Sequence, residues 1–134
     1  MFKLIKIQNS GVNVPEPMIL GKSAGIEIKI GEALILEEGL LSPCTATTKP
    51  THVAIRNANY DEDLAVVYEV NPNMLFETTV DDDPADLKVG EKVTISTDED
   101  GCAVNVSSST ASGVATIVDL MGATDIGDKL TVKF

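Results

Sequence analysis

The chain has 134 residues, 43% hydrophobic and 23% charged, which is enough to build one core and too apolar for wholesale disorder. Ten Lys and Arg against 21 Asp and Glu leave a net charge of −11, which argues against phosphate backbones and anionic membranes as partners. Aromatics are only 4%, without Trp, so base stacking has little to work with and the core falls to Val, Ile, Leu and Ala.

This length implies a single domain that folds alone, with no room for two independent cores. Apolar and polar residues alternate with period two almost throughout, in short segments separated by Gly, Pro, Asn and Asp. The pattern predicts strands over residues 2–7, 25–30, 33–36, 40–44, 52–57, 64–70, 75–80, 92–97, 103–106, 114–120 and 129–134. Helix signals are confined to single turns at 84–87, where Pro84 suits a first helical position, and at 72–74. The expected fold is all-β: a small closed or partly closed antiparallel β-barrel of SH3-like or OB-like type, with an extended N-terminal arm. The expected division is residues 1–24, an N-terminal strand and arm, and residues 25–134, the barrel.

The first segment, Phe-Lys-Leu-Ile-Lys-Ile, alternates instead of forming the apolar run of about seven or more residues that a secretion signal needs. No segment approaches the roughly 18 uninterrupted apolar residues of a membrane span. A soluble protein made in the cytosol is the expectation. Residues 8–24 hold two prolines, two glycines and small polar groups. They read either as a plain surface loop or as an arm that lies across a partner and orders on binding. In the second case Pro15, Pro17, Met18 and Ile19 offer an apolar seam for contact.

A local motif recurs at Ile30-Gly31-Glu32, Val89-Gly90-Glu91 and Ile126-Gly127-Asp128, each followed by alternation. Glycine permits the positive φ of a tight turn and the acidic side chain can bond its own turn backbone, so these read as scaffold turns leading into strands. In the last strand Leu130, Val132 and Phe134 share a face, and its loss should unfold the domain.

Groups able to do chemistry are few. The only histidine, His52, would have to serve as any general base, yet alternation with Val53 and Ile55 points it outward on a strand. Cys44 and Cys102, 58 positions apart, match no metal spacing; they are either a lone disulfide or two ordinary buried thiols, and the thiols are the expectation. Acidic clusters stand at 61–63, at Asp81, Asp82, Asp83 and Asp86, and at 98–100. Massed carboxylates can hold calcium, best at 81–86, but none fits the twelve-residue calcium loop, and turn or hairpin-tip roles explain each. Residues 107–113 read as a flexible loop between strands. No phosphate loop, dinucleotide turn or paired-Cys knuckle is present, so an enzyme is not expected and no cofactor is implied.

Several short segments follow one another in a distinctive order. They are Gly31-Glu32-Ala33-Leu34-Ile35-Leu36 with Gly39-Leu40-Leu41, then Thr47-Thr48-Lys49-Pro50-Thr51-His52-Val53-Ala54, then Ala65-Val66-Val67-Tyr68-Glu69-Val70-Asn71-Pro72. Glu77-Thr78-Thr79 and the closing Gly127-Asp128-Lys129-Leu130-Thr131-Val132-Lys133-Phe134 complete the order. Across residues 31–134 the chain resembles the capsid decoration, or cement, proteins of tailed bacteriophages and prophages. The resemblance implies a β-barrel-like virion protein, made in the host cytoplasm, that binds the capsid exterior, often as a homotrimer, and reinforces seams between major capsid subunits. The arm and the dense acid between Glu77 and Asp100 depart from that pattern, so contact residues do not carry over to them. The alternative is a non-catalytic β-domain of another phage or bacterial assembly, such as a tail, baseplate or surface structure, with a cation-dependent variant of it.

Overall fold

The computed structural model describes residues 1–8, 15–97, 100–105 and 112–134. Among them the regular structure is entirely strand: β1 (Lys3–Ile7), β2 (Met18–Gly21), β3 (Ala33–Glu37), β4 (Leu40–Pro43), β5 (His52–Ala54), β6 (Leu64–Glu69), β7 (Met74–Val80), β8 (Lys92–Ile95), β9 (Ala103–Asn105), β10 (Ala115–Asp119) and β11 (Lys129–Lys133). The two helical candidates are single turns, closed by Leu87 N–H to Pro84 O and Met74 N–H to Asn71 O.

A five-stranded barrel runs β7-β11-β10-β8-β9 and closes where β9 meets β7 in a short parallel pairing, Thr79 with Ala103 and Val80 with Val104. β9 occupies only the last part of that β7 edge. β1 takes the remainder, antiparallel, with Lys3 opposite Glu77 and Ile7 opposite Met74. A second sheet, β2-β6-β5-β3-β4, is antiparallel throughout, and its outer strands meet at a parallel bridge between Lys22 and Leu41. It is inserted between β1 and β7, so β1, on the β7 edge, and β11, in the barrel, belong to the same sheet.

Three sequence expectations need correction. First, the expected arm is in part a sheet strand: β2 pairs along its length with β6, Met18 opposite Val67 through Gly21 opposite Leu64. Four apolar-rich residues next to an unpaired edge gain four backbone pairings, which outweighs the loop-forming prolines just before them. Residues 9–14 of that arm lie outside the described residues. Second, 25–30 is not a strand; only Ile28 bridges, to Ala58, because Gly25 and Gly31 at φ 71° and 77° turn the backbone at both ends. Third, there are two apolar clusters. One fills the barrel with Phe76, Ile95, Ile117, Leu130 and Val132 among others, and the other fills the second sheet with Ile28, Leu34, Leu41, Ala54, Ala58, Ala65 and Val67.

The clusters share strands. In β3, Ala33 faces the barrel cluster and Leu34 the other; in β5, Val53 and Ala54 divide in the same way. A strand buried on both faces shows no polar side. That is why His52, in a strand where all three residues are buried, is 4% exposed instead of pointing outward.

The three glycine-acid turns are built as their residues predict. Gly31, Gly90 and Gly127 have φ of 77°, 92° and 87°. The carboxylates of Glu32, Glu91 and Asp128 accept from the backbone N–H of Lys29, Lys88 and Asp125 at 2.7, 2.9 and 3.0 Å. Asn59 to Glu62 makes the same bond, at 2.6 Å, without a glycine. Gly31 has a second role: an added Cβ would stand 2.3 Å from that of Met1, so the N-terminus packs directly on this turn, where Phe2 N–H donates to Gly31 O at 2.8 Å.

β11 lies between β7 and β10 with Leu130 and Val132 fully buried. Beyond it Phe134 meets Phe2 edge-on at 5.0 Å and Phe76 at 5.5 Å, tying both chain ends to the barrel core. Phe134→Ala should therefore cost about 3 kcal/mol in denaturant unfolding, while Ile126→Ala, at a 65% exposed turn, should stay within about 0.5 kcal/mol.

Candidate functional site

The residues that could carry chemistry are engaged in structure. His52 Nδ1 lies 2.8 Å from Thr51 Oγ1, and burial lowers the ring's pKa against the opposing pull of Glu69, so the imidazole is neutral at pH 7. Cys44 is buried and Cys102 half-buried, both as free thiols. Burial pushes them up to about 12 and about 11, which leaves both protonated and poorly nucleophilic near neutrality.

The carboxylates at 81–86 act mainly on their neighbours. Asp82 Oδ1 accepts from Asp83 N–H at 2.8 Å, Asp83 Oδ1 from Ala85 N–H at 2.9 Å, and Asp81 Oδ2 from Asn105 Nδ2 at 3.1 Å. Asp86 is exposed, and Asp81 Oδ1 is buried without a partner. Among the described residues no three His, Cys, Asp or Glu stand together as metal ligands, so a cation site at 81–86 has no coordination geometry behind it. In the 98–100 cluster, residues 98 and 99 lie outside the described residues, as do 107–111 of the serine-rich loop. The strands flanking the first of these form the expected hairpin, Ile95 opposite Val104.

Two concavities lie where the second sheet meets the barrel. A cleft of about 210 Å³, lined by Phe2, Leu4, Val53, Tyr68 and Phe76 among others, is smaller than the ~300 Å³ at which ligand pockets usually begin. A wider groove of about 580 Å³ runs past Glu32, Cys44, Asp100 and Gly101. Glu32 is only 4% exposed at its edge, and its turn joins the two units: Ala54 N–H donates to Glu32 O and Ala33 N–H to Gly101 O, both at 3.0 Å. Beside it Lys29 pairs with Asp100.

Among the described residues, one exposed apolar face is not used in the fold. Ile19 is 67% exposed, Leu64 51% and Leu40 45%. Register puts them on one side of the second sheet: Ile19 opposite Val66, Gly21 opposite Leu64, and Leu40 against Gly21, where an added Cβ would come within 3.1 Å of Leu40 Cδ2. Of the residues expected to make contact, Pro17, Met18 and Ile19 are exposed and Pro15 is half-buried. Ile19 joins the face; Met18 alternates away from it. Sequence reading missed Leu40 and Leu64, because both faces of β4 and β6 are apolar and alternation alone does not say which is buried. The acidic residues next to them, Glu37, Glu38 and Asp63, were the available signal.

Burial raises the Glu32 carboxyl to about 7, with Asp100 adding to it and the Lys29 N–H bond opposing. A raised carboxyl favours the folded state below its unfolded pKa, and that contribution is lost as pH rises from about 4.5 through 7. Melting temperature should accordingly fall between pH 5 and pH 8 in the wild type, and fall less in Glu32→Gln, whose amide oxygen can still accept from Lys29. The chain matches no protein-family model and no curated protein.

Proposed function

We propose that this chain is a non-catalytic structural protein that decorates and stabilises the exterior of a phage or prophage capsid, with the major capsid protein as its partner. The observation that carries the reading is the apolar face of Ile19, Leu40 and Leu64 on a closed, strongly acidic β-body. A cement protein needs a rigid body, solubility and a surface that recognises a neighbour. The closed barrel supplies the first, net charge the second and this face the third. The burial of His52 and Cys44 and the raised pKa of both thiols are in keeping with a role that asks for no reaction. The resemblance across residues 31–134 supplies the choice of capsid over other assemblies. It also supplies the homotrimeric state, the location on the virion and synthesis in the host cytoplasm as parts of the same proposal.

Mass-spectrometric quantification of this polypeptide against the major capsid protein, in particles purified from an induced culture, tests the reading. Copy numbers comparable to the capsid subunit are expected. A handful of copies would move the protein to a tail or baseplate, and absence from particles despite abundance in cells would overturn a virion role.

A further inference from the structure

We infer that the outer face of the second sheet, centred on Ile19, Leu40 and Leu64, docks a protein surface that presents an apolar ridge flanked by lysine or arginine. The inference rests on the decoration reading, under which that surface belongs to the capsid subunit, and it specifies which side of this chain meets it and by what chemistry.

The outer face continues a surface that is already buried within the chain. Pairings of Ala33 with Val53, Val53 with Tyr68, Ile35 with Ser42 and Glu37 with Leu40 place these residues on the sheet face that also carries Val66, Leu64 and Ile19. At Ala33 and Val53 that face is covered by the barrel. Beyond Tyr68 it continues apolar but uncovered. The inner side of the same strands already fills its cluster with Ala65, Val67 and Leu20, so the outer leucines and Ile19 are not needed to hold the sheet. Leu40 is brought into the row because residue 21 is glycine, which leaves room for its side chain against the β2 backbone.

Carboxylates border this face. Glu37 sits directly across from Leu40, Glu38 follows it at a φ of 51°, and both line a concavity with Leu40, Ser23 and Ser42. Asp63 precedes Leu64 and is exposed. None of the three carboxylates has an ion-pair partner among the described residues. The nearby cation is turned away: Lys22 is 4% exposed and its Nζ donates to Ile26 O at 2.7 Å. An apolar centre bordered by unpaired carboxylates selects a partner with cations at matching positions and rejects acidic ones. A second copy would set the same carboxylates against this face, so it is a poor occupant here, and an anionic bilayer is a worse one.

The experiment adds purified protein to heads assembled without it and measures bound copies by mass spectrometry, with melting temperature checked for each variant. Ile19→Asp with Leu64→Asp should lower occupancy about tenfold or more at unchanged melting temperature, because charges are forced into an apolar contact. Val89→Asp with Ile126→Asp, at exposed barrel turns, should bind as wild type. Glu37→Lys with Glu38→Lys should also lower occupancy, and wild-type binding should weaken as salt rises. If the aspartates unfold the sheet, Ile19→Ser with Leu64→Ser replaces them. Wild-type occupancy in the Ile19 and Leu64 variants would overturn the face while leaving decoration intact. Unaltered binding of the charge-reversed protein would overturn the basic partner. If the wild type is an oligomer in solution and the Ile19 and Leu64 variant a monomer, a second copy owns the face and the inference fails. Wild type that binds no heads removes decoration itself, and the inference with it.

Discussion

Strands β3 and β5 each serve two cores, and most of the molecule follows from that. Ala33 and Val53 face the barrel cluster while Leu34 and Ala54 face the other, so one short stretch of backbone is desolvated on both sides. Such a strand must hydrogen-bond every backbone group along its ladder, because water reaches neither face. On the side turned to the barrel, Ala33 stands opposite Val53, and its small side chain lets the two layers approach. The polar groups at the joint are tied down accordingly, His52 by Thr51 and Glu32 by the Lys29 N–H.

Tying these groups into the joint shapes the functional reading. The buried neutral imidazole of His52 and the Cys44 thiol lie inside the body, whereas the exposed carboxylates and the Ile19, Leu40 and Leu64 face are open at the surface. The same sheet face is intramolecular at Val53 and open at Leu64. The chain thus uses one apolar surface first to join its own halves and then, under the proposed reading, to join a neighbour.

Much of the strand pattern was legible because period-two alternation and Gly-acid turns are local signals. Leu130, Val132 and Phe134 could be placed inward from spacing alone, and Gly31, Gly90 and Gly127 could be read as positive-φ turns. What depends on two layers at once was not legible. His52 looks outward in a one-faced strand and is buried in a two-faced one. β2 looked like loop because its pairing partner, β6, is more than forty residues away. Ile19 could be singled out as an apolar residue in a polar, Pro-rich stretch, but Leu40 and Leu64 resemble core leucines until the register shows which side they take. The second cluster escaped notice because alternation shows that Ile28, Leu34, Leu41 and Val67 are buried without showing which of two cores each one enters.

Through β3 and β5 the barrel and the second sheet form one cooperative body. Native-state amide hydrogen exchange tests it most directly, since it resolves the opening free energy of each strand. Amides of β3 and β5 should exchange with the same free energy as those of β7 and β11, through global unfolding. Exchange of the whole second sheet through a separate, lower-energy opening, with the barrel still protected, would contradict the account.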